Sequence, residues 1–173
     1  MLPLETARLR IEELTEDDAG FTLSLLNDPA FIEHIGDRNV RDVEQARQYL
    51  LAGPLLSYRE HGFGMYALRL KDSGELVGMC GLVKRPSLED VDIGYALLPQ
   101  FRGAGYAMEA AQRIKHWALE ELGLRRLVAI VSPHNRASRQ LLEQLGMRHE
   151  GMVTLAGDDE SICLYGLGES APG

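Results

Sequence analysis

Apolar and polar residues alternate through Arg8–Leu14, and this period of two predicts a strand with one buried face. Thr15 and Asp18 then form a capping-box pattern, with aspartate in place of the usual Glu or Gln. Ala19, Leu23 and Leu26 follow at helical spacing. A second helical pattern runs from Val40 to Gly62, and Pro54 is expected to kink or end it. Gly64–Arg85 holds two β-rich runs around Asp72-Ser73-Gly74, a hairpin signal. Glu89–Pro99 reads as another strand, closed by its proline. A helix over Gly105–Leu122 comes next, then a strand over Arg125–Ser132 and a helix over Arg136–Gly146. Two last strands fall near Gly151–Gly157 and Ser161–Leu167. The order β-α-α-β-β-β-α-β-α-β-β predicts an α/β chain of the α+β kind, a mixed sheet with helices on its faces. Residues 1–168 read as a single domain and 169–173 as a flexible tail.

One segment joins a helix to a chemistry. Ala107, Ala110, Ala111, Ile114, Trp117, Ala118 and Leu122 form an apolar stripe that packs a helix on a sheet, with Glu109 and Arg113 expected to pair on its outer side. Just before it, Gly103 and Gly105 remove side chains that would cover the first backbone N–H groups. Those donors, the positive end of the helix dipole and a nearby arginine make an anion site. A P-loop requires a lysine after the glycines, and none follows. A dinucleotide fingerprint requires a third glycine where Met108 stands.

Composition narrows the partners. The chain has 173 residues, 45% hydrophobic and 25% charged, enough for one domain with a full core. Its net charge of −8 argues against nucleic-acid binding, which depends on neutralising phosphates. It suits a cationic substrate, and equally a protein that uses charge for solubility. No signal peptide and no bilayer-length apolar run is found, so no membrane role and a cytoplasmic location are expected. Cys80 and Cys163 read as buried thiols. His34, His61, His116, His134 and His149 lack metal-ligand spacing, and no metal is expected.

The run Gln-x-Arg-Gly-x-Gly-x-Ala between a strand and a helix, Gln100–Ala107, resembles the acetyl-CoA loop of the Gcn5-related N-acetyltransferase (GNAT) family. Leu4–Pro29, Gly62–Leu82, Val91–Ala110 and Ser132–Met147 are similar, in that order, to segments of its Rim-type subgroup, the ribosomal-protein N-terminal acetyltransferases. The resemblance spans nearly the whole chain. It implies a strand pair splayed between Asp92–Leu98 and Leu127–Ser132, with pantetheine in the gap on backbone groups of Ala96, Leu97 and Leu98. It places the pyrophosphate on the N–H groups of Arg102, Gly103, Ala104, Gly105, Tyr106 and Ala107. It sets Asn135 and Ser138 beside the pantetheine and thioester; Arg136 and Arg139 are within reach of the nucleotide phosphate there, the alternative being solvated arginines on an exposed helix face.

The implied reaction is acetyl transfer from acetyl-CoA to an amine in a ternary complex. The amine must shed a proton before attack, and Asp92 is the candidate base; its alternative is an edge carboxylate with no catalytic part. The N–H near Leu97 is the candidate oxyanion donor. Many members carry a tyrosine after the asparagine to protonate the thiolate; here Leu141 and Leu142 occupy that region, and Ser138 is the remaining hydroxyl. Asp158, Asp159 and Glu160 form an acidic loop suited to a cationic acceptor, or an ordinary solvated turn. The expected acceptor is a protein N-terminus, with a small-molecule amine (amino acid, polyamine or aminoglycoside) as the second reading. A non-catalytic acyl-CoA sensor is the reading from another class. A monomer or homodimer is expected.

Overall fold

A computed structural model describes residues 2–155 and 160–168. Eight strands form one sheet: β1 (Leu4–Glu5), β2 (Leu9–Glu13), β3 (Met65–Leu70), β4 (Leu76–Val83), β5 (Asp92–Leu97), β6 (Arg126–Val131), β7 (Arg148–Val153) and β8 (Ile162–Gly168). Their spatial order is β1-β2-β3-β4-β5-β6-β8-β7. Every neighbouring pair is antiparallel except β5 with β6, which is parallel. The helices are α1 (Ala19–Leu26), α2 (Pro29–His34), α3 (Val43–Ala52), α4 (Pro54–His61), α5 (Tyr106–His116) and α6 (Arg136–Gln144).

Local chemistry sets the helix ends. Both bonds of the Thr15–Asp18 capping box are present; they open a 3-10 turn, Glu16–Asp18, that leads into α1. The second helical pattern is broken at Gly53, and Pro54 becomes the first residue of α4, where its missing N–H costs nothing. The short α2 was missed in the sequence, although Asp28-Pro29 carries its cap and first-turn proline. The strand β1 was missed as well, being only two residues long.

The helix after the glycines departs from its predicted length. α5 ends at His116 and continues as a π turn, Trp117–Glu121, with Leu122 N–H bonded to Trp117 C=O at 2.9 Å. The wider turn rotates the end of the helix, so Leu122 leaves the stripe and is 39% exposed while Trp117 and Ala118 stay buried.

The sheet is covered on both faces. Tyr66, Leu68, Cys80, Leu82, Ile93, Leu97, Leu127, Ala129 and Tyr165 pack with Ala110, Ala111 and Ile114 of α5 and Leu142 of α6. Leu25 of α1 and Ala46 and Leu50 of α3 pack with Ala67 and Met79 on the other face. Both cysteines are free and buried.

β4 is hemmed in by its neighbours. A Cβ on Gly78 would lie 2.3 Å from Ala96 C=O and 2.9 Å from Leu97 Cα, both backbone atoms of β5. Gly78→Ala therefore has to push the two strands apart. It should cost about 1–3 kcal/mol, the range for overpacking a core, read as a lower urea midpoint at unchanged slope. An unchanged midpoint would mean that β5 yields freely.

Candidate active site

β5 and β6 share one register pair among the described residues, Asp92 with Val128, and Val128 N–H bonds Val91 C=O at 3.0 Å. Beyond it the two strands part. Backbone groups alternate sides along a strand. Leu98 N–H bonds Val77 C=O at 2.9 Å and Ala96 C=O lies against Gly78, so Ala96 and Leu98 address β4. Ile93, Tyr95 and Leu97 share the phase of Val91 and address the gap. Of the three residues expected to hold a strand-like ligand, Leu97 alone presents its backbone there.

The loop after β5 is built to bare a helix end. A 3-10 turn, Pro99–Phe101, leads to Gly103 at φ +82° and Gly105 at φ +85°. These left-handed angles suit glycine. Gly105 caps α5 with no side-chain bond, so the first N–H groups keep their free valence, and a Cβ on Gly103 would meet nothing within 4 Å. Arg102, Gly103, Ala104 and Gly105 are exposed and Tyr106 and Ala107 half-buried, which leaves the loop open to a phosphate.

The charged side chains around this loop are arranged differently from the sequence expectation. Arg102 pairs with buried Asp28, the cap of α2, and also donates to Leu97 C=O at 3.1 Å. Its guanidinium thus ties β5 and the loop to α2. Glu109 does not pair with Arg113; it binds Arg8 at 2.7 Å and accepts from Thr6, while Arg113 lies 3.9 Å from Glu121. Burial favours the neutral form of Glu109, but the bonds from Thr6 and Arg8 outweigh it and hold its pKa below the usual value.

α6 starts beside the gap. Asn135 caps it, accepting from Ser138 N–H at 3.2 Å. Arg139 is turned to the core edge, donating to the Tyr165 hydroxyl at 3.0 Å and to Pro133 C=O at 3.2 Å. Arg136 is exposed. The Tyr95 hydroxyl is sealed from solvent without a hydrogen-bond partner among the described residues. Burial pushes its pKa up to about 12, against the opposing effect of the Ser138 hydroxyl beside it. The family resemblance drew attention to the absent tyrosine on α6; Tyr95, a hydroxyl carried by the strand instead, sits next to Ser138.

Asp92 closes the other end of the gap. It is 2% exposed, its carboxylate lies 3.3 Å from Arg85 Nε, and one oxygen has no hydrogen-bond partner among the described residues. Desolvation raises its pKa, and Arg85 and Lys84 only partly offset this. Asp92 and Val128 are register partners, so their side chains share the face opposite α5 and α6. On that face Val128 helps line an open cavity of about 450 Å³ together with Ser87, Leu88, Glu89, Asp90, Arg126 and Leu164. Arg126 is held by Asp90 at 3.0 Å and by Glu150, and Glu89 lines the same cavity. Asp158 and Asp159 of the acidic loop lie outside the described residues; Glu160 is exposed.

A parted parallel pair ending in a glycine loop at a bare helix end is the arrangement that the family resemblance implies for an acyl-CoA site. The chain matches the acetyltransferase (GNAT) domain over residues 8–148 and belongs to that family. It is 27% identical over 151 residues to the uncharacterised N-acetyltransferase YoaA of Bacillus subtilis (strain 168), covering 87% of this chain and 85% of that one. Its fold superposes on an acetyltransferase from Agrobacterium tumefaciens str. C58 with TM-score 0.80 and 26% identity, covering 98% and 95% of the two chains. It also shares its fold with RimL, a ribosomal L7/L12 alpha-N-protein acetyltransferase solved with coenzyme A, at TM-score 0.78 and 20% identity over 96% and 97%. The protein is an acetyl-CoA-dependent N-acetyltransferase. Among the described residues no helix is long and apolar enough to cross a membrane.

The raised pKa of Asp92 has a thermodynamic consequence. The folded state holds its proton more tightly than the unfolded chain, whose aspartates titrate near 3.9. The stability this supplies is fully present below about pH 4 and is lost as pH rises through the folded pKa. Asp92→Asn, which does not titrate, should melt at or above wild type at pH 7. Its advantage should grow upward from about pH 4 and then level off. A variant melting well below wild type at pH 7 would show that the Arg85 bond outweighs burial.

Proposed function

We propose that the protein acetylates a primary amine, and that the amine is a protein or peptide N-terminus. The observation that carries this is the placement of Asp92, a proton-avid carboxylate at the closed end of the β5–β6 gap, next to the acid-rimmed cavity floored by Val128 and Leu164. A cationic amine is drawn to the rim carboxylates, while the apolar floor suits a short side chain behind it. Asp92, directly or through water, takes the ammonium proton as the nitrogen approaches the thioester carbon. The nitrogen forms its bond to that carbon, and the carbonyl oxygen becomes an oxyanion met by the N–H of Leu97. Collapse breaks the C–S bond, the coenzyme A thiolate taking up the second proton that the nitrogen sheds.

Acetyl-CoA fits the remaining residues. The N–H groups from Arg102 to Ala107 are suited to the pyrophosphate, Asn135 and the gap-facing backbone to the pantetheine, and Ser138 to the sulfur. Arg139 contributes indirectly, through Tyr165 and Pro133, by holding the start of α6. Much of the acceleration in this arrangement comes from holding amine and thioester together.

The test is thiol release from acetyl-CoA across peptides with free N-termini, polyamines, amino acids and aminoglycosides. A peptide acetylated at its α-amine should have the highest kcat/KM. A polyamine or aminoglycoside in that place would make the protein a small-molecule acetyltransferase, and coenzyme A binding without turnover on any amine would make it a sensor. With the best acceptor, Asp92→Asn should lower kcat by roughly a hundredfold or more, the scale of losing a general base, and leave acetyl-CoA affinity nearly unchanged. Near-normal turnover would move the proton transfer to Asp90.

A further inference from the structure

We infer that Arg8, from the turn between β1 and β2, is the arginine of the phosphate site. The inference rests on the reading of the Gly103–Gly105 loop as the acetyl-CoA pyrophosphate site. Arg102 is the arginine that motif reading puts there, but one terminal nitrogen of its guanidinium binds both Asp28 and Leu97 C=O, which turns the group toward α2. Withdrawing it would leave a buried carboxylate without its partner. Another arginine stands over the helix end instead.

Arg8 reaches the loop through a dense set of contacts. Its backbone N–H and Nε bind Glu109 at 3.0 and 2.7 Å, and one terminal nitrogen donates to Ala104 C=O at 2.8 Å. Its guanidinium carbon lies 4.3 Å from the centre of the Tyr106 ring. The other terminal nitrogen comes within 3.3 Å of where a Cβ on Gly105 would be, at the cap of α5. The side chain remains 43% exposed, and that nitrogen makes no hydrogen bond among the described residues.

Two electrostatic effects arise from this position. The free N–H groups add charged donors to the bare backbone donors of the α5 start, a setting in which Arg suits phosphate well. Glu109, in the first turn of α5, would otherwise oppose an anion at the same spot, and Arg8 cancels it. Glu109 in turn fixes the guanidinium plane through Nε, and Thr6 fixes Glu109. A Thr-x-Arg turn at the sheet edge and a Glu four residues after the loop glycine thus complete one anion site.

Calorimetric titration with coenzyme A on folded wild type, Arg8→Gln and Arg8→Gln/Glu109→Gln, across a salt series, tests this. Arg8→Gln should weaken coenzyme A about tenfold or more, the scale of a lost hydrogen bond to a charged group. Its affinity should also fall less steeply with salt than that of wild type. Adding Glu109→Gln should recover part of the affinity, because it removes the uncancelled negative charge. Unchanged affinity in Arg8→Gln would overturn the inference. So would a loss that keeps the wild-type salt slope and is not relieved by Glu109→Gln, since that describes a prop for the loop without contact to phosphate. Failure of wild type to bind coenzyme A would instead sink the phosphate-site reading itself.

Discussion

The site depends on one parallel strand pair that is barely a pair. β5 and β6 meet at Asp92 and Val128 and then separate, while every other neighbour in the sheet keeps a longer antiparallel ladder, apart from the two-residue β1. Backbone donors and acceptors facing a gap demand partners, from water or from a ligand that imitates a strand. A pantetheine arm with its amide groups meets that demand. The opening is tolerated because the two halves of the sheet are held by the layers on either face: α5 and α6 pack under both sides of the split, and α1 and α3 brace the strands up to β5.

The chemistry is spread along this gap in a physically sensible order. The loop end is a cluster of donors, with bare N–H groups and arginine. The middle carries the buried hydroxyl of Tyr95 beside Ser138, and the closed end a carboxylate whose burial raises its affinity for a proton. The proposed placement of an anionic coenzyme at one end and a cationic amine at the other would therefore give each an environment of the opposite charge.

Much of the fold was legible because its signals are local. The capping box at Thr15, the break at Gly53-Pro54, the hairpin around Ser73 and the stripe of α5 each depend on neighbours within a few residues. The loop after β5 was legible for the same reason, since its two glycines declare their angles. What the sequence could not display is which distant charge meets which. Arg102 reaches back to Asp28, and Glu109 chooses Arg8 over Arg113, through contacts that exist only once the sheet has closed. The π turn at Trp117 was equally hidden, because a 3.6-residue period fits the stripe until the final residue, Leu122.

The Arg102–Asp28 link bears on how such an enzyme can be redesigned. Replacing the segment around α2, which packs on the sheet face opposite α5 and α6, is a local change in the sequence. Yet Asp28 is both the cap of that helix and the buried counter-ion of the coenzyme loop. A transplanted segment without an acid at this position would strip Arg102 of its partner and loosen the turn that presents Gly103 and Gly105. In this chain the α2 acid and the loop arginine therefore have to be exchanged together, and a chimera that breaks the pair disturbs the glycine loop along with the segment replaced.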